Sequence, residues 1–119
     1  MTDEQSAPTV IDLPALARAA TATGPIWSRT SEDLNVNLLL LDGSGVAEHV
    51  NDEVDVLLVG VAGEGIIEVD GAPHALPAGG ALVIPKGARR AVRVTAGRFA
   101  YLTCHRRRGG LWPRGAKRP

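Results

Sequence analysis

The sequence predicts an all-β domain, a barrel or sandwich of short antiparallel strands preceded by one short helix. Three observations carry this. After Gly24 the chain breaks into short segments rich in Val, Leu and Ile. Gly, Pro, Asp-Gly or Ala-Gly punctuates them every eight to twelve residues, the spacing of a sandwich or barrel rather than of βαβ units. Residues 69–73 read VDGAP, and Asp-Gly supplies the positive φ angles that a tight hairpin turn needs.

Residues 1–10 are polar and are expected to be disordered. In DLPALARAATAT (12–23), Asp12 can cap a helix and Pro14 suits its first turn. One short helix is predicted, ending before Gly24, with Leu13, Leu16, Ala17 and Ala20 as its apolar face. The strands follow as IWSRTS, LNVNLLLLD, VAEHV, EVDVLLVGVAG, GIIEVDG, PHALPAG, ALVIP, RAVRVTAG and RFAYLTCHR. PAGGA and PKGA mark further turns. The predicted organisation is a tail and helix over 1–24, a barrel over 25–107 and a basic tail over 108–119.

Composition removes several functions. At 119 residues the chain holds one core. Its aromatics are Trp27, Phe99, Tyr101 and Trp112, too few for a base-stacking surface, so no nucleic acid is expected. One cysteine, Cys104, excludes an internal disulfide framework. The opening lacks a basic segment followed by an apolar one, so no signal peptide is read. No apolar run approaches the roughly 20 residues of a membrane helix. A soluble cytoplasmic protein is the expectation.

Charge is balanced but segregated. All thirteen acidic residues lie at or before Asp70, and of thirteen basic ones only Arg18 and Arg29 precede Gly71. A chain this short has no room for two self-repelling lobes. The two parts are therefore expected to interleave, opposite charges meeting across neighbouring strands. The C-terminal RRRGGLWPRGAKRP reads as a flexible basic tail in which Leu111 and Trp112 can dock on the barrel.

Two motifs carry more. Gly43 is followed by five residues and His49; Asn51 stands two further on, Asp55 after three more, and Gly63 closes the run. Gly79 leads through five residues to Pro85, then Lys86, Gly87, Arg90 and Val94. This pattern resembles the cupins, double-stranded β-helix barrels of the jelly-roll type, over roughly 26–105. In that family the first motif carries two histidines and a glutamate, and the second carries a histidine; together they bind a metal. Here the glycines and the proline agree, but of the four ligands only His49 is kept, Asn51, Asp55 and Arg90 replacing the others. Gly63 falls one residue late, which implies a bulge.

The resemblance places Arg90 opposite His49, Asn51 and Asp55 inside the barrel. A guanidinium stays protonated and offers only donors, so it repels a divalent ion. An Asp55–Arg90 pair is the expected replacement, with no cofactor. The alternative is a divalent metal held by the reduced set His49, Asn51, Asp55 and His105. Two roles are open to His49, a hydrogen-bonded structural residue and a general acid or base. Tyr101, Thr103 and His105 share one face of the last strand, Leu102 and Cys104 the other, and either face can point inward. Asn35 or Asn37 can join the inward set. His74 after the hairpin, and Arg89 and Arg93, are expected at the surface, and Cys104 is expected to be buried.

Three functions follow. The first is a metal-free barrel binding a small, anionic ligand through Asn37, Asn51, Asp55 and Arg90, with His49, Tyr101 and His105 as catalytic candidates for an isomerase or lyase. The second is a metal-dependent enzyme such as a dioxygenase. The third is a non-enzymatic module that senses a ligand or binds a partner. The resemblance also implies a homodimer, with residues 26–30 as contact.

Overall fold

The computed structural model describes residues 8–107. The helix α1 (Leu13–Ala19) begins at Asp12, whose side chain accepts the Ala15 N–H at 3.1 Å. Nine strands follow: β1 (Gly24–Thr30), β2 (Leu34–Leu41), β3 (Val46–Val50), β4 (Val56–Ala62), β5 (Glu64–Val69), β6 (Ala72–Pro77), β7 (Ala81–Ile84), β8 (Arg89–Val94) and β9 (Phe99–Arg106). Each coincides with a predicted segment. The main difference is β4, which starts at Val56 rather than at Glu53.

The topology follows from one turn. Asp70 and Gly71 have φ of 50° and 84°, and Val69 pairs with Ala72 across them. Around that turn the chain doubles back: β5 pairs with β6, β4 with β7, β3 with β8 and β2 with β9, all antiparallel. This is one long hairpin, rolled up. Successive rungs fall in alternate sheets, β1-β2-β9-β4-β7 and β3-β8-β5-β6, which is the jelly-roll arrangement. The roll also explains the charge pattern. The acidic first part must pair with the basic second part, as in the Glu68–Arg93 ion pair at 2.9 Å between β5 and β8.

The inner faces of the two sheets enclose one core, whose members include Phe99, Tyr101, Ile67, Ile84 and Val56. A second, small cluster lies on the outer face, where Ala17 of the helix and Ala20 just past its end pack with Leu40 and Ala100. Arg98 ties the helix down, donating to the carbonyls of Ala17 and Ala20, both at 2.9 Å. These carbonyls have no partner within the helix. No helix among the described residues is long and apolar enough to cross a membrane. The basic tail, with Leu111 and Trp112, lies outside the described residues.

Candidate functional site

Between the sheets lies a partly open cavity of about 260 Å³. Its polar lining is Asn37, His49, Arg90, Tyr101, Thr103 and His105. The rest of the wall is aliphatic: Leu39, Val46, Val56, Leu58, Ile84 and Val92. Among the described residues no carboxylate lines the cavity.

His49 reaches the cavity through a bulge. On β8, Val92 and Arg90 are two apart and share a face. Their partners on β3, Val46 and His49, are three apart, so plain alternation would put them on opposite faces. The extra residue is absorbed between Val46 and His49, and both side chains line the cavity. Re-aiming a side chain in this way is a recurrent use of bulges. The hydrogen bonds then fix the ring. His49 Nδ1 lies 3.1 Å from the Ala47 carbonyl, and Nε2 lies 3.2 Å from Arg90 Nε. A carbonyl only accepts and a guanidinium only donates. Nδ1 therefore carries the proton, and the Nε2 lone pair accepts the Arg90 Nε–H.

The opposite wall comes from β9 and β2. Tyr101, Thr103 and His105 point inward, while Leu102 and Cys104 take the outer face. Cys104 is half-buried rather than buried. Asn37 is the register partner of Thr103, and its Oδ1 accepts the Ser28 hydroxyl at 2.7 Å. What Asn37 can offer a ligand is its amide N–H. His105 is buried, with Nδ1 2.9 Å from the Arg106 carbonyl, so that nitrogen is the donor here too. Tyr101 is buried and stacks on Phe99 at 5.1 Å between ring centres. Burial pushes its hydroxyl up to about 12, with the Arg90 charge pulling the other way. The cavity thus holds a neutral phenol.

That shift yields a testable pH dependence. Between its ordinary value of 10.0 and about 12, the unfolded chain sheds the Tyr101 proton while the folded chain keeps it. Stability from this group is whole below pH 10.0 and is lost as the pH rises through about 12, by roughly 2–3 kcal/mol. Tyr101 is the one tyrosine in the chain, so tyrosinate absorbance reports it directly. Tyr101→Phe should flatten the alkaline fall in stability relative to the parent; an unchanged fall refutes the assignment.

Two expected members of the site are elsewhere. The Asp55–Arg90 pair does not form. Asp55 is exposed, and its Oδ1 accepts the Lys86 backbone N–H at 2.8 Å. Asn51 accepts the Glu53 N–H on its side chain at 3.0 Å, and the Gly87 N–H on its carbonyl at 2.7 Å. Neither lines the cavity. The physical reason is that β3 ends at Val50, so strand parity does not carry across the loop. Asp55 instead has the parity of Leu57, which points away from the cavity-lining Val56 and Leu58. Both residues brace the Lys86-Gly87 turn, a role their spacing did not suggest. The late Gly63 is accounted for by a register shift in β4 between Gly60 and Ala62. His74, Arg89 and Arg93 are exposed as expected.

The alternative ligand set of His49, Asn51, Asp55 and His105 is therefore not assembled. Among the described residues no group of three or more His, Cys, Asp or Glu is placed to hold a metal. The one imidazole kept from the motif has its Nε2 lone pair facing a guanidinium. These residues do not fit a divalent cation.

A rolled hairpin of two antiparallel sheets around a cavity is the architecture of the cupin barrels. Solved structures agree. A cupin-2 domain protein from Shewanella frigidimarina superposes with a TM-score of 0.68 at 19% identity, covering 82% of this chain and 95% of that one. BH2720 from Bacillus halodurans gives 0.75 at 19%, over 98% and 92%. TT1209 from Thermus thermophilus gives 0.67 at 27%, over 82% and 95%. The chain has the cupin fold. No family model and no curated protein matches the sequence.

Proposed function

We propose that the barrel binds a small carboxylic acid, held by Arg90, without a metal. The observation that carries this reading is the Arg90 guanidinium in the cavity wall, with the Asn37 amide and the Tyr101 and Thr103 hydroxyls as further donors and, among the described residues, no carboxylate in the lining. A guanidinium matches a carboxylate in charge and geometry, and such charge-assisted bonds are about twice as strong as neutral ones. At about 260 Å³ the space lies below the ~300–1,000 Å³ of sites for drug-sized ligands, which favours a short acid.

His49 has a defined part in this reading. In the ligand-free chain it orients Arg90 through the Nε–H. An acid that takes this N–H for itself leaves the His49 Nε2 lone pair beside the ligand. That is the arrangement a proton-transferring isomerase or lyase requires.

Calorimetric titration with short carboxylates, and with the corresponding neutral amides, tests the proposal. The acids should bind and the amides should not. Arg90→Met should weaken the acids by about 2 kcal/mol or more, roughly 30-fold, with the fold checked by circular dichroism. Equal binding of acids by the parent and Arg90→Met would sink the proposal, as would a stoichiometric transition metal lost in His49→Ala.

A further inference from the structure

The polar groups of the cavity are not scattered. His49 and Arg90 are cross-strand partners on β3 and β8, in the four-stranded sheet. Asn37 and Thr103 are partners on β2 and β9, in the five-stranded sheet, with Tyr101 and His105 two residues to either side of Thr103 on the same face. Packed sheets stand about 10 Å apart, so the two polar sets face each other across the barrel. The aliphatic side chains complete the wall between them.

A plain acid would satisfy only the first wall. Its hydrocarbon end would be pressed against the Thr103 hydroxyl, the Asn37 amide and the His105 ring. Displacing water from such groups without replacing its hydrogen bonds costs about 1–3 kcal/mol for each group left unpaired. A ligand with an oxygen at its far end avoids that cost. Its short aliphatic middle would lie along Leu39, Leu58 and Val92.

Resting on the acid-binding reading above, we infer that the ligand is a two-ended molecule. It is a short carboxylic acid whose carboxylate meets Arg90 and whose hydroxyl or carbonyl oxygen, at the other end of the chain, meets Thr103 and Asn37. Thr103 is then a specificity-determining residue. It separates oxygenated acids from plain ones, while Arg90 separates acids from neutral molecules.

The probes are ω-hydroxy acids of increasing length, each paired with the alkanoate in which methyl replaces the hydroxyl. For the best-fitting length, the hydroxy acid should bind the parent at least tenfold more tightly than its alkanoate. Thr103→Val, which keeps the side-chain shape, should erase that preference, weakening the hydroxy acid while the alkanoate, no longer pressed on an unpaired hydroxyl, binds at least as tightly as before; Thr103→Ser should keep it. If both members of every pair bind equally, and both are lost in Arg90→Met, the two-ended inference falls and the acid-binding reading stands. If the preference survives in Thr103→Val, the assignment to Thr103 falls. If no acid binds while the matching diols do, the acid-binding reading itself falls, and this inference with it.

Discussion

Phe99→Ala is expected to lower the unfolding free energy by about 3–5 kcal/mol, the usual cost of emptying a buried aromatic site. Phe99 is 0% exposed and the largest of the fully buried side chains. It starts β9 in one sheet, yet its ring lies against Gly65 of β5 in the other. A Cβ built on Gly65 would stand 2.6 Å from the ring carbons Cδ2 and Cε2. The ring therefore joins the two sheets at a point where the opposing strand has only backbone. Gly65 has no side chain to fill the void, and Tyr101 borders it already stacked on the ring that is removed. Urea unfolding should show a lower midpoint with an unchanged slope. The proposed acid binding should weaken too, since Tyr101 loses the surface that holds its ring in the cavity wall. A loss below about 1 kcal/mol, no more than a typical point mutation costs, would mean that the ring does not join the sheets as described.

The second large effect is expected at Gly60→Ala, at about 3–4 kcal/mol from overpacking and two strained backbone hydrogen bonds. A Cβ there would stand 2.1 Å from the Pro77 carbonyl oxygen and 2.9 Å from its carbon. Both are backbone atoms, so no side-chain rotation relieves the clash. Gly60 also donates to the Gly80 carbonyl and accepts the Gly79 N–H, each at 2.9 Å. The β6–β7 turn is thus laced onto β4 beside its bulge, and separating the chains strains both bonds. Gly43→Ala is the matched control. A Cβ there meets nothing within 4 Å, so its cost should stay within about 0.5 kcal/mol. Thermal melts of the pair decide the matter: equal melting temperatures would refute the close approach at Gly60.

This contrast also bears on the motif resemblance. Gly43 belongs to the motif, but it sits in open space. Gly63, which closes the motif, would put a Cβ 2.1 Å from the Arg98 carbonyl oxygen, and Gly60 and Gly65, which hold no motif position, would also collide with a neighbouring strand. A spacing pattern records which residue types recur. It does not record which atoms approach them from a strand far away in the chain.

Local chemistry was enough for much of the fold. Asp12 caps the helix because a short carboxylate reaches the N–H groups of its own first turn. Asp70-Gly71 turns the hairpin because those two residues tolerate positive φ. Nine strands could be placed because alternating or continuous apolar runs between turn residues have few other ways to bury themselves. Segregated charge on so short a chain pointed to interleaved halves. All of these depend on neighbours within a few residues, or on the composition of the whole, and both are written in the order of amino acids.

The site depended on closure of the barrel. His49 faces Arg90 because a bulge shifts its parity, and the bulge exists because β3 must match β8 from the far half of the chain. Asp55 and Asn51 leave the cavity because β3 ends before them and the Lys86-Gly87 turn needs their oxygens. Both faces of β9 carry plausible inward residues, Leu102 and Cys104 on one and Tyr101, Thr103 and His105 on the other; packing against β2 and β4 chose the polar one. Strand parity is a local rule that any bulge or strand end resets. Where those resets fall is decided by partners distant in sequence, so the elements could be read from the chain while the meeting of Arg90, His49 and Thr103 around one cavity emerged only in three dimensions.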